Sequence, residues 1–167
     1  MGLIFFTGFM GCGKTTWSRK LAAHIGYEFI DLDHSLEAQV GMTIAEYFSS
    51  FGEDSFRKLE SDVLKFTEYP ENAVVSTGGG LPCFFDNMDW MNAHGETVYI
   101  KLSPKTLMDR LEKGKAKRPV LQGKHGDELL EFIAFKLDER EPYYFKAKHI
   151  ANGIDMSVEY LEKLIIP

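Results

Sequence analysis

Gly8-x-x-x-x-Gly13-Lys14-Thr15 is a complete phosphate-binding loop of the Walker A form. Its glycines let successive backbone N–H groups turn toward phosphate oxygens, and a helix starting behind them adds the positive end of its dipole. Gly11, Cys12, Gly13, Lys14, Thr15 and Thr16 are therefore expected around the phosphates of a nucleoside triphosphate such as ATP. Lys14 reaches the β and γ phosphates in this reading, and the Thr15 hydroxyl coordinates Mg²⁺. Cys12 stands where a small residue is wanted, either as filler or as a redox-sensitive thiol, and both readings leave triphosphate binding intact.

Such a loop does not say what receives the phosphoryl group. Asp31-Leu32-Asp33 supplies two carboxylates at the end of a predicted strand, where alternation sends them to opposite faces. One suits Mg²⁺ and the other a substrate hydroxyl; the plain alternative is that such acids begin a loop or cap a helix. Gly78-Gly79-Gly80 brings a ligand close to backbone N–H groups, or is a turn. Arg57 has Glu60 three residues on, close enough to orient its guanidinium or simply to form a salt bridge. Arg140 precedes Glu141-Pro142-Tyr143-Tyr144 and is otherwise a solvated helix end.

These residues need elements to carry them. Leu3 to Thr7 is an apolar strand running into the glycine loop, and Trp17, Leu21, Ala22 and Ile25 recur at helical spacing before Gly26 stops the helix. A second strand is predicted over Tyr27 to Leu32. Thr43-Ile44-Ala45-Glu46 has the form of a capping box opening a helix to Phe51, followed by another from about Glu53 to Phe66. Ala73 to Ser76, Thr97 to Leu102 and Lys148 to Ala151 complete five strands. Helices follow Ser103-Pro104, run to about Arg140, and begin again near Ser157. Strands alternating with helices at this spacing predict a parallel α/β sheet covered on both faces. The stretch 113–126 is basic and glycine-rich, a mobile loop, and nothing divides residues 1–167 into more than one domain.

Composition narrows the classes further. Lys plus Arg total 19 against 25 Asp plus Glu, a formal charge of −6, which argues against nucleic acid or an anionic membrane as partner. Two cysteines are too few for a disulfide framework or a zinc site, so a reducing, cytoplasmic setting is expected. No apolar run approaches the ~20 residues of a membrane span, and no secretory leader is expected. Five histidines show no metal-ligand spacing, and none is assigned a catalytic role. Phe84, Met88 and Met91, at i, i+4 and i+7, read as core packing.

Taken together, the motifs resemble the shikimate kinase family along nearly the whole chain. The matching pieces are Gly-Phe-Met-Gly-Cys-Gly-Lys-Thr-Thr at 8–16, Asp-Leu-Asp at 31–33, Thr-Ile-Ala-Glu-Tyr-Phe at 43–48, Gly-Glu-x-x-Phe-Arg-x-x-Glu at 52–60, Gly-Gly-Gly at 78–80, Arg-Pro-Val-Leu at 118–121 and Arg-x-Pro-Tyr-Tyr at 140–144. The resemblance implies a three-layer P-loop kinase fold, with a five-stranded parallel sheet flanked by helices and a lid over roughly 113–126. It implies transfer of the ATP γ-phosphoryl group, with Mg²⁺, to the 3-hydroxyl of shikimate on the way to chorismate and the aromatic amino acids. In it, Asp33 holds the acceptor hydroxyls and acts as general base, and of the two carboxylates read above Asp31 is then the one expected to serve the metal. Arg57 and Arg140 clamp the shikimate carboxylate, Gly79 and Gly80 offer backbone contacts, Arg118 is the lid arginine over the phosphates, and Arg110 flanks the adenine. A bidentate guanidinium suits a planar carboxylate better than lysine does, which agrees with that clamp. Gluconate or a nucleoside monophosphate are the nearest rival acceptors, and a monomer is expected.

Overall fold

The protein is described by a computed structural model over residues 2–114 and 123–167. Five parallel strands, β1 (Leu3–Thr7), β2 (Glu28–Asp31), β3 (Ala73–Ser76), β4 (Gly95–Lys101) and β5 (His149–Asn152), lie in the order β2-β3-β1-β4-β5. In register, Phe5 faces Val75 on one side and Thr97 on the other, so the loop after β1 emerges at the centre of the sheet's carboxyl edge. That edge, where neighbouring connections diverge, is where open α/β sheets take ligands.

Alternation along the central strands sorts their side chains into two cores. Ile4, Phe6 and Val74 pack with Leu21 of α1 (Lys14–Ile25), Leu107 of α5 (Pro104–Gly114), Ile133 of α6 (Gly126–Tyr144) and Leu161 of α7 (Val158–Ile165). Phe5, Ala73 and Val75 pack with Leu36 of α2 (Leu32–Val40), Leu64 of α3 (Ile44–Phe66) and Met88 of α4 (Asn87–His94). The result is the three-layer arrangement expected. Each fully buried Leu or Phe contributes roughly 1.5–3 kcal/mol to holding it.

Three local predictions need correction. First, Leu32 does not extend β2: the chain turns at Asp31 directly into α2, whose Leu32 and Leu36 are buried four residues apart with Val40 packed against the same core. Asp33 consequently lies in the first turn of a helix, and the strand alternation proposed for the two acids does not exist. Second, α6 continues past Arg140 through Pro142 to Tyr144. The missing proline N–H is outweighed because that last turn buries Tyr144 completely, its ring 5.0 Å from that of Tyr99. Third, Phe84 stays outside the core. Met88 and Met91 are buried as expected, but Phe84 precedes α4 in extended backbone and lies beside Arg57.

The capping box is present, with Thr43 Oγ1 accepting from Glu46 N at 3.1 Å and Glu46 Oε2 accepting from Thr43 N at 2.9 Å. The helix it opens is interrupted by non-helical backbone at Gly52 (φ 84°, ψ 173°), so the two expected segments meet at that break within α3. Among the described residues no helix is long and apolar enough to cross a membrane. Arg118 and the 115–122 part of the expected lid lie outside the described residues.

Candidate active site

The phosphate-binding loop joins β1 to α1. Gly13 caps α1 in the left-handed region (φ 98°, ψ 17°) with no side-chain cap, so the first helical N–H groups stay available to an anion. Lys14, 9% exposed, turns back over the loop and donates to Gly8 O at 2.7 Å and Phe9 O at 3.2 Å. Cys12 is buried, and a β-carbon at Gly8 would stand 2.8 Å from its Sγ, so the thiol fills the inside of the loop as the filler reading expects. Arg110, from α5, reaches across to Cys12 O with Nη1 at 3.4 Å and so overlies the loop, while Thr16 is exposed on the first turn of α1.

Thr15 Oγ1 is 3.5 Å from Ser76 Oγ at the end of β3. Asp31 caps α2, its Oδ1 accepting from Asp33 N at 3.0 Å and His34 N at 3.4 Å. The helix-cap alternative for Asp31 is thus realised, which leaves its second oxygen for other work. One hydroxyl and one carboxylate beside a phosphate loop are the oxygen donor set that suits Mg²⁺, which takes its remaining ligands from phosphate and water.

The triple glycine is where the charged residues meet. A β-carbon at Gly78 would stand 2.8 Å from Glu60 Oε2 and 2.9 Å from Asp33 Oδ1; one at Gly79 would be 3.5 Å from Arg140 Nη1; one at Gly80 would be 2.7 Å from Arg57 Cζ. Each glycine therefore makes room for a different charged side chain, a demand that the ligand-approach reading did not include. Arg57 Nη1 donates to Glu60 Oε1 at 3.0 Å, as their spacing on α3 predicts. Arg57 Nε and Arg140 Nη1 are both buried without a partner. Unpartnered buried guanidinium donors are costly, and two of them beside one glycine turn point to an anionic ligand.

Burial raises Asp33 above the usual carboxylate range, and nearby Asp31 raises it further, against the opposing pull of Lys14 and Arg57. Burial also pushes Glu60, 3% exposed, up to about 7 despite its bond to Arg57. Two aromatic residues also lie against this turn and its arginines. Tyr144 donates its hydroxyl to Gly79 O at 2.5 Å and so ties the glycine turn to α6, and Phe84 lies under Arg57, 4.4 Å from ring centroid to Cζ. The run Arg-x-Pro-Tyr-Tyr was the only sequence sign of the first, and nothing in the local pattern marked the second.

The family model for shikimate kinase matches residues 10–165. The chain belongs to the shikimate kinase family. Shikimate kinase from Bacteroides fragilis strain ATCC 25285 is 46% identical over 170 residues, covering 97% of this chain and 95% of that protein. The crystal structure of shikimate kinase from Bacteroides thetaiotaomicron superposes with a TM-score of 0.92 at 42% identity, covering 98% of this chain and 97% of that one. Shikimate kinase from Acinetobacter baumannii, solved in complex with shikimate, gives 0.86 at 30% identity over 98% and 89%. Shikimate kinases are ATP-dependent kinases, and this chain shares their fold of a five-stranded parallel sheet flanked by helices.

Proposed function

We propose that this chain transfers the γ-phosphoryl group of ATP to the 3-hydroxyl of shikimate, giving shikimate 3-phosphate and ADP. The observation that carries the reading is the convergence of Asp33, Arg57 and Arg140 on Gly78–Gly80, with donors of both arginines buried and unpartnered. Arg57 and Arg140 take the shikimate carboxylate, and the backbone of Gly79 and Gly80 lies along the substrate. Asp33 accepts the hydroxyl proton as the oxygen bonds to the γ-phosphorus and the bond from that phosphorus to the β–γ bridging oxygen breaks; ADP leaves with the electron pair. A carboxylate raised by burial is better matched to that task near neutral pH than an ordinary one.

Gly11, Cys12, Gly13, Lys14, Thr15 and Thr16 surround the triphosphate, and Lys14 exchanges its loop carbonyls for phosphate oxygens. Mg²⁺, held through Thr15 and Asp31, supplies charge neutralisation on the phosphates when bound. Arg110 flanks the adenine, and Arg118 is assigned to the phosphates. The chain acts in the cytoplasm as a monomer, a single domain over 1–167, with no nucleic-acid or membrane partner. ADP release from MgATP in the presence of shikimate, gluconate, CMP or AMP, each at equal concentration, tests the acceptor. Stimulation by shikimate alone is expected; stimulation by gluconate or a nucleotide overturns the assignment of the arginines.

A further inference from the structure

Arg57 is held more tightly than one ion pair requires. Its side chain is 11% exposed, Nη1 is spent on Glu60, and Nε is buried without a partner. Two aromatic rings also lie against it. Cζ lies 5.1 Å from the centroid of the adjacent Phe56 and 4.4 Å from that of Phe84, which arrives from a different part of the chain. An aromatic face stabilises a desolvated guanidinium without consuming any of its N–H donors, so the donors not spent on Glu60 stay free for a ligand.

The segment delivering Phe84 adopts a conformation that needs a reason. Phe85 has φ 52°, the one non-glycine residue with positive φ among the described residues, and its own side chain is 66% exposed. A bulky residue in the left-handed region that buries nothing of its own gains nothing locally. The gain falls to its neighbours. The 3₁₀ turn Leu81–Cys83 is closed by Cys83 N donating to Gly80 O at 3.0 Å, and Asn87 N donates to Phe84 O at 3.2 Å. Buried Asn87 donates from Nδ2 to Leu81 O at 2.9 Å, and its Oδ1 accepts from Ser61 Oγ at 2.6 Å. Ser61 follows Glu60 on α3, so the segment is tied to the same helix that carries Arg57. Phe84, Arg57 and Arg140 line one cavity of about 180 Å³.

We propose that Phe84 is a positioning residue for substrate recognition: its ring fixes the plane of the Arg57 guanidinium and so sets affinity for the acceptor's carboxylate, without touching the reacting atoms. The proposal rests on the assignment of Arg57 to that carboxylate.

Steady-state kinetics on the full chain test it, with Phe84→Leu, Phe84→Tyr, Arg57→Lys and the Phe84→Leu/Arg57→Lys double variant. Phe84→Leu removes the π face and is expected to raise the shikimate KM ~10-fold, with kcat and the ATP KM within ~2-fold of wild type. Phe84→Tyr restores the ring and is expected to restore the KM. In the Arg57→Lys background, Phe84→Leu is expected to add less than ~3-fold, because the group it positions is gone. Phe84→Met makes the same comparison should the leucine variant not fold. A wild-type shikimate KM in Phe84→Leu, a parallel rise in both substrates' KM, or a tyrosine variant as impaired as the leucine one overturns the proposal. If Arg57→Lys raises the KM while Phe84→Leu does not, only the Phe84 assignment falls; a wild-type KM in Arg57→Lys overturns the carboxylate assignment, and this proposal with it.

Discussion

Glu60→Gln isolates the energetic consequence of burying a carboxylate in the site. Glu60 is 3% exposed and its carboxyl is pushed up from 4.5 to about 7, first by desolvation, with Asp33 adding to the rise and Arg57 and Arg140 opposing it. A folded-state pKa above the unfolded one means that the folded state binds the proton more tightly. The associated stability is therefore fully present below about pH 4.5 and is lost as pH rises through about 7. At ~1.4 kcal/mol per unit, the part of that loss falling between pH 5 and pH 8 is ~2–3 kcal/mol. Glutamine keeps an acceptor for Arg57 Nη1 but does not titrate, so the variant gains that amount relative to wild type across the interval. Urea unfolding of both proteins at pH 5, 6, 7 and 8 reads this as a difference in midpoint that opens by roughly 1 M, taking ~2 kcal/mol per M as the slope. A difference that stays flat from pH 5 to pH 8 would refute the reasoning, because it would mean that Arg57 compensates fully for burial.

Two further perturbations address the reacting end and the glycine turn. Asp33→Asn is expected to lower kcat by ~10² or more while leaving the ATP KM unchanged, and unaltered turnover removes Asp33 as the base. Gly80→Ala places a β-carbon 2.7 Å from Arg57 Cζ, which must shift; the shikimate KM is expected to rise by about tenfold or more with a much smaller change for ATP, and a wild-type value shows that the guanidinium is not held where shikimate binds.

What the sequence revealed of this site was what lies close along the chain. The phosphate loop, the Thr43–Glu46 capping box and the Arg57–Glu60 pair are contacts within a few residues, where spacing alone sets geometry. The two acids were misplaced because a strand turns into a helix between them without a loop. The spacing of Leu32, Leu36 and Val40 carried the helical period, but it lay behind an apolar strand pattern that ran into it. Gly78–Gly80 were recognised as a site of close approach, yet what approaches is the protein's own Asp33, Glu60, Arg140 and Arg57, gathered from three helices. No local pattern encodes that. Phe84 illustrates the limit most clearly: its period matched Met88 and Met91, but the helix begins only at Asn87, and the preceding backbone turns the ring toward α3.

The arrangement of charge links the two ends of the proposed substrate. Burial raises Asp33, and Arg57, the same cation assigned to the acceptor's carboxylate, opposes part of that rise alongside Lys14. A carboxylate seated on Arg57 cancels part of that positive field, so the proton affinity of Asp33 rises when the acceptor is in place and the hydroxyl is ready to lose its proton. This coupling requires that Arg57 not be neutralised beforehand. A fully ionised Glu60 at 3.0 Å would do so, but burial pushes Glu60 up to about 7 and so opposes its ionisation near neutral pH. Glu60 thus orients the guanidinium through a hydrogen bond that survives in either protonation state, while leaving much of its charge for the ligand. Desolvation, which in isolation destabilises the fold, is in this reading what keeps both the clamp and the base responsive to the substrate.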